Sequence, residues 1–505
     1  MKETRRDFLK KSGGCALGMV SLATQMQHFG ALSAMAQRAI DSAPLGGADY
    51  KALVLVFMAG GNDGNNMIFP LHNDATVSNF NAYVNTRVAQ SAGGLAFAST
   101  PLSANIPNIG GLSYGFHPNL GPGATNNGIF ELFGLNKLAV VANVGTLARP
   151  MSRAQYLANS VLKPYQLFSH SDQVNQAQTA ISNTQAFTGW GGRLADKLNF
   201  PNNPNGLIPM VTSIAGAQLF TSGQTTLPLA ITSANADATP PNPINLRSVL
   251  TPAGLSGTNA TTVARLNGFN SLRTQDLGSN YVAAASHVTD LAMQANAALQ
   301  TARDTTAPFP NTSLGLQLKQ VARLIKSRDS LNINRQVFYV QVGGSFDTHT
   351  DELPTQAALM TQMSQAMRSF WDELTAQGMQ DAVTAFTLSD FCRTLQPAGA
   401  AGGSVGSDHA WGNHMLVMGG AVNGGNFYGS HRTDGTGDLY PTLALGGPDD
   451  TDSGTNPRGR WLPTTSVDQY AVRLARWFGL SPADEAAVFP NLQYFNDSQT
   501  VLNFI

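Results

Sequence analysis

The chain reads as an α/β fold with a mostly parallel central sheet, helices on both faces and inserted loops. Three apolar runs carry that expectation: Lys51 to Met58 (KALVLVFM), Leu138 to Val144 (LAVVANV) and Gln336 to Val342 (QVFYVQV). A strand covered on both faces loses its polar alternation and appears as such a run. Helical patterns separate the runs, and the first and third stop at glycines followed by an acid, the way α/β enzymes present chemistry at the carboxyl edge of a sheet.

The elements follow in order. Thr4-Arg5-Arg6-Asp7-Phe8-Leu9-Lys10, a mildly apolar stretch from Gly13 to Ala23 and Ala34-Met35-Ala36 have the order of a twin-arginine export leader and its cleavage site. Residues 1–36 are therefore expected to be a signal peptide, 37–50 a linker and 51–505 one α/β domain exported folded to the periplasm or beyond. The apolar stretch is too short and too broken by glycine to span a bilayer, so no transmembrane segment is expected in the mature chain. Cys15 leaves with the leader, and Cys392 alone cannot form an intrachain disulfide.

The first strand breaks into Ala59-Gly60-Gly61-Asn62-Asp63-Gly64, which puts Asp63 just past a strand end. The second runs into Gly145 and a basic loop containing Arg149 and Arg153, suited to an anionic substrate. Leu167-Phe168-Ser169-His170-Ser171-Asp172-Gln173 then opens a helix through Val174 to Ile181. A serine at a helix N-terminus caps it, and is also placed to be a nucleophile or to sit under an oxyanion; Ser169 is the candidate. Another helix opens at Gly189-Trp190, and Ile208 to Ile214 reads as a strand. Residues 217–275 lack a clear helical period and read as an insertion or cap, with a small β subdomain as one form of it. Helical periods return at Tyr281 to Arg303 and Ser313 to Arg328.

The third strand ends in Gly343-Gly344-Ser345-Phe346-Asp347-Thr348-His349, where residues two apart in extended chain point the same way and can share an ion. After a helix from Pro354 to Gly378, a strand around Ala385 to Leu388 stops at Asp390, with Arg393 beyond it. A loop of Gly, Ala and Ser leads to Ser407-Asp408-His409 and His414, and Met415 to Met418 continues as a strand. The last helix spans Val467 to Phe478. Carboxylates and imidazoles are ligand types for zinc and similar divalent ions. The metal candidates are Asp63, Asp347, His349, Asp390, Asp408, His409 and His414; Ser169, Arg153 and Arg393 are the catalytic candidates.

Composition narrows the function classes. Charged residues make up 12% of the 505, about half the usual share. The net charge is −1, with no basic block beyond the N-terminus, so nucleic acid and anionic membrane surfaces are not expected partners. No G-x-G-x-x-G follows a strand and no cysteine cluster exists, which argues against an oxidoreductase.

The segments GGNDGNN, LFSHSDQ, GGSFDTHT and LSDFCRT, followed by GSDHAWGNHMLVMGGAV, together resemble the exported family called domain of unknown function 1501. The resemblance runs from about residue 50 to near the C-terminus. It implies a fold related to the alkaline phosphatase and sulfatase superfamily, with a divalent metal site at the ends of parallel strands. On it, Asp63 resembles the first-strand metal aspartate, Asp347 and His349 an Asp-His pair, Asp408-His409 the adjacent ligands, and His414 the late histidine. Asp390 is an equal candidate for the later aspartate, although it stands where the family's Ser-Glu-Phe-Gly-Arg-Thr segment has glutamate; Cys392 stands at its glycine. A two-metal, a one-metal and a decayed site stay open. The expected function is metal-dependent hydrolysis of phosphate or sulfate esters, small or polysaccharide. Zinc is the expected ion, with calcium or manganese as alternatives. The competing reading is a non-catalytic periplasmic binding protein with a degenerate metal site.

Overall fold

The computed structural model describes residues 49–73, 79–236, 244, 259–275, 277–278, 280–300, 304–399, 404–432, 439–495 and 500–505. The expected leader, nearly all of the expected linker and part of the 217–275 segment lie outside these residues.

The described strands of the first half are β1 (Lys51–Met58), β2 (Ile68–Pro70), β3 (Ser103–Ile106), β4 (Leu112–Phe116), β5 (Leu138–Gly145), β6 (Val211–Ser213) and β7 (Leu229–Ala230). The second half contributes β8 (Arg335–Gln341), β9 (Val383–Ser389), β10 (Asn413–Gly419), β11 (Phe427–Ser430), β12 (Thr465–Ser466) and β13 (Thr500–Val501). The main sheet has the order β13-β11-β5-β10-β9-β1-β8-β6-β7, with β12 added beside β5; β2, β4 and β3 form a small antiparallel sheet.

The expected α/β architecture, a large and mostly parallel sheet with helices around it, is what the structure has. β1 lies between β8 and β9 and is parallel to both, with Val54 opposite Phe338 on one side and Ala385 on the other. Every residue of β5, β9 and β10 is buried, and all of β1 except Lys51. Successive strand residues point to opposite faces, so such runs require cover on both. The helices Ser313–Lys326 and Glu352–Ala376 supply part of it, with Leu318, Val321, Met360, Met363 and Met367 fully buried.

Strand direction matters more for function than strand number. β1, β8 and β9 run the same way, so Met58, Gln341 and Ser389 end at one edge of the sheet. β10 runs antiparallel between β9 and β5, so its first residue, Asn413, starts from that edge and β5 finishes there at Gly145. Segments 59–63, 146–170, 342–351, 390–396 and 404–412 therefore share one edge.

Two expectations change. The strand read over Ile208 to Ile214 contracts to β6, a short strand near the sheet margin. Within 217–275, β7 extends the main sheet and Ala260–Arg273 is a helix whose N-cap, Asn259, accepts the Thr262 amide at 2.8 Å. Most residues of that helix are exposed or half-buried, so it has no apolar stripe to betray it in sequence.

The Val467–Phe478 helix opens with a reciprocal cap between Ser466 and Gln469. Asp468, in the first turn, is fully buried, and neither carboxylate oxygen has a hydrogen-bond partner among the described residues. Burial pushes its pKa from 3.8 up to about 8 against the pull of Arg193. The folded state thus holds this proton more tightly than the unfolded chain does. Its contribution to stability is full below pH 3.8 and is lost as pH rises to about 8. Urea unfolding of Asp468→Asn should show the variant gaining on the parent as pH is raised across that window; parallel profiles would mean that the acid is not held neutral.

Candidate metal centre

The site begins with backbone that only glycine serves well. Gly60 and Gly61 follow β1 at φ +104° and +79°. A Cβ on Gly60 would lie 2.5 Å from the Asp347 amide nitrogen, and one on Gly61 would lie 2.5 Å from the Phe391 ring. The loops after β1, β8 and β9 can therefore nest. Phe346 donates its amide to Ala59 O at 2.8 Å, and the Gly60 amide lies 3.2 Å from both oxygens of Asp390. Residues 392–394 pair with 408–411 in a short irregular ladder, through Cys392 N to Trp411 O, Ala410 N to Cys392 O and Thr394 N to Asp408 O.

Three histidines and one aspartate converge above this frame. His409 Nε2 lies 3.0 Å from the Nε2 of His170 and 3.0 Å from that of His349. Asp347 Oδ1 lies 3.2 Å from His349 Nε2, 3.4 Å from His170 Nε2 and 3.5 Å from His409 Nε2. Tetrahedral zinc with ligands at roughly 2.0 to 2.1 Å needs ligand atoms roughly 3.3 Å apart, and among the described residues those whose ligand atoms are close enough together to share one ion are His170, Asp347 and His409. The four side chains are 24% to 45% exposed, so the cluster opens to solvent on one side.

The other ring nitrogen of each histidine is committed to oxygen. His170 Nδ1 donates to Asp390 Oδ2 at 2.9 Å, His349 Nδ1 to Asp408 Oδ1 at 3.1 Å, and His409 Nδ1 to Phe168 O at 2.9 Å. A carbonyl or carboxylate has no proton to give, so each ring, when neutral, carries its proton on Nδ1 and turns its Nε2 inward. Outer oxygens play this part around metal-binding histidines generally. Phe168 presents its carbonyl from φ +71°, costly for so bulky a residue, with its amide bonded to Gln173 Oε1 at 2.6 Å and its ring under the Arg460 guanidinium.

The surroundings act differently on each member of the cluster. The Asp390 hydrogen bond raises the His170 pKa, whereas burial lowers that of His409. Burial works to raise Asp347, but hydrogen bonding and charge from Arg393 outweigh it and hold the carboxyl below its usual range. Arg458 does the same for Asp408. Three inward lone pairs and a carboxylate within contact distance repel one another unless a proton or a cation lies between them.

The model of a family described as protein of unknown function (DUF1501) matches residues 150–473, more than half of the chain. The chain belongs to that family. No curated protein matches it. Among solved structures it is similar to the PsFucS1 sulfatase from Pseudoalteromonas sp., at 10% identity over 80% of this chain and 67% of that one, with a TM-score of 0.26. It is also similar to Ps i-CgsB in complex with k-i-k-neocarrahexaose, at 9% identity over 75% and 68%, with a TM-score of 0.26. At those scores neither likeness bears on the chemistry of the site.

In this DUF1501 protein the expected residues divide three ways. Asp347, His349 and His409 meet in the cluster. Asp390 and Asp408 stand one hydrogen bond behind it, orienting His170 and His349. Asp63 and His414 are elsewhere: the Asp63 carboxylate is bound by Arg87 at 2.6 Å, and His414 is buried against Tyr440 with its Nδ1 accepting the Asn143 amide at 3.2 Å. Burial lowers the His414 pKa to about 3.

The catalytic candidates fare differently. Arg393 is buried and directs its guanidinium at the carbonyls of Gly60, Gly61, Phe346 and Ser407 and at Asp347, so it holds loops together rather than facing a substrate oxyanion. Arg153 donates to the carbonyls of Asp450 and Asp452 and lines a different cavity of about 190 Å³ with Arg432, Asp449 and Thr464. Ser169 is the N-cap of the His170–Thr179 helix, but its hydroxyl donates to Asp172 at 2.5 Å instead of capping a backbone amide. His170 itself was absent from the expected ligands, although it sits inside the segment LFSHSDQ; beside two serines and a helix start, an isolated histidine has no ligand spacing to mark it.

Histidine-selective nitrogen NMR of the metal-free protein at alkaline pH should show His170, His349 and His409 as the tautomer protonated at Nδ1. A proton on Nε2 of His349 or His409 there would contradict the inward lone pairs.

Proposed function

We propose that this protein is an exported metal-dependent hydrolase of phosphate or sulfate esters, with His170, His409 and Asp347 holding one divalent ion and His349 beside them. The observation that carries the reading is the convergence of three Nε2 atoms on Asp347 Oδ1, each ring fixed from behind by an oxygen. Two imidazole nitrogens and a single carboxylate favour zinc or a similar borderline ion over calcium, which takes six to eight oxygens.

Bound there, such an ion supplies Lewis acidity to an ester oxygen. The chain does the rest. Asp390, Asp408 and Phe168 O hold the imidazoles in register, and Arg393 keeps Asp347 ionised. Arg458 and Arg460, about a quarter exposed, sit behind Asp408 and the His409 carbonyl, making the surroundings favourable to an anionic group. Ser169, next in chain to His170, has Asp172 as acceptor for its proton if the hydroxyl attacks; otherwise water is the nucleophile. In either case the bond from the phosphorus or sulfur to the alcohol oxygen breaks, and water finally supplies the hydroxyl.

Purified mature protein should bind about one equivalent of zinc and hydrolyse an aryl phosphate or aryl sulfate, and a chelator should stop it. His170→Ala and His409→Ala should each lower turnover by at least about a hundredfold. Ser169→Ala should match them only if the serine attacks. Metal-replete protein that turns over neither ester and binds no stoichiometric metal would leave the binding-protein reading in its place.

Export belongs to the same proposal and rests on the leader sequence. Replacing Arg5 and Arg6 together with Lys should leave uncleaved precursor in the cytoplasm, as read by fractionation and intact mass. Undiminished export would refute the twin-arginine route.

A further inference from the structure

Behind the candidate centre three ionisable side chains are buried together, and the chemistry proposed above does not use them. Arg87, Asp63 and Glu352 are all at most 1% exposed. Arg87 Nη2 donates to Asp63 Oδ2 at 2.6 Å and to Glu352 Oε1 at 2.9 Å, while Nη1 reaches the carbonyls of Thr394 at 3.3 Å and Leu395 at 3.4 Å. The second Glu352 oxygen accepts the Ser407 hydroxyl. The Glu352 amide donates to Val405 O at 3.1 Å and the Ser407 amide to Thr348 O at 3.0 Å.

These bonds cross between the segments that carry the ligands. Asp63 belongs to the loop after β1. Glu352 opens the helix that follows Asp347 and His349. Thr394 and Leu395 follow Asp390, and Ser407 lies two residues before His409. Three of the four converging side chains thus sit on segments joined by one buried carboxylate. We infer that Glu352, seated on the Arg87–Asp63 pair and gripping Ser407, is a positioning residue that fixes segment 343–351 against segment 404–411 so that Asp347 and His349 meet His409.

The ordinary alternative is that the group only stabilises the fold. Buried ion pairs are poor at that, because the cost of desolvation consumes most of their attraction.

Two substitutions separate these roles. Glu352→Leu cuts both links yet leaves Arg87 and Asp63 as a matched pair, so no buried charge is stranded. Ser407→Ala cuts only the outer link and serves if the first variant fails to fold. Amide hydrogen exchange of the metal-free protein should speed at least about tenfold in 343–351 and 404–411, with the interiors of β1 and β9 unchanged, and zinc affinity should fall by about ten- to a hundredfold. Exchange unchanged in those segments, or raised equally across the sheet, would overturn the inference, as would loosened loops with undiminished zinc affinity. The inference rests on the metal reading only for the affinity measurement. If the parent protein binds no zinc, that reading falls, and the exchange data still decide whether Glu352 fixes the two segments.

Discussion

A guanidinium sealed from water must find all its partners in the protein, and at Arg393 those partners are four backbone carbonyls and a carboxylate drawn from three different loops. Leaving any of its donors unpaired would cost a few kcal/mol, so the loops are held to the one arrangement that satisfies them together. Asp347 is turned toward the histidines by that demand. The same constraint explains why an arginine beside a candidate active site has nothing left to offer a substrate.

A second buried cation, Arg87, answers the other concentration of negative charge at this sheet edge. Asp63 and Glu352 would repel each other without it, and both burial and the Asp63 charge push the Glu352 pKa well above the usual carboxylate range. The carboxylate expected from the first strand to hold a metal is thereby satisfied by an internal arginine. The histidine cluster is left at this edge as the place where three imidazole nitrogens converge, around an Asp347 oxygen that Arg393 already holds. Around it the polar groups are layered: four inward atoms, then Asp390, Asp408 and Phe168 O, then Arg458 and Arg460.

The apolar runs were legible because burial on both faces of a strand leaves no polar alternation, and β1 and β5 match their expected spans within a residue. The Val467–Phe478 helix was legible for a related reason: a capped start, a strong apolar face and a glycine after its end. The helix at Ala260–Arg273 was not, since a helix that buries little displays little pattern. In the site, Asp347 with His349 could be read as a pair because local spacing alone lets them act together, whereas Asp408 turns from its neighbour His409 to His349. Whether an aspartate is a ligand or the support of one could not be read, because Asp390 and Asp408 differ from Asp347 only in which atom of a distant histidine they face.

The sequence by itself determined the class of fold, the strand ends where chemistry would lie and the residue types available there, since these follow from hydrophobic pattern and short spacing. Tertiary structure alone decided membership. The parallel register of β1, β8 and β9 and the antiparallel return of β10 brought His170 in from a segment more than 170 residues before its nearest partner, Asp347, and left Asp63 and His414 to other partners. The physical reason is that a binding site is a set of distances of a few ångströms between atoms. Those distances are fixed by strand order and by buried charges seeking partners, neither of which is a local property of the chain.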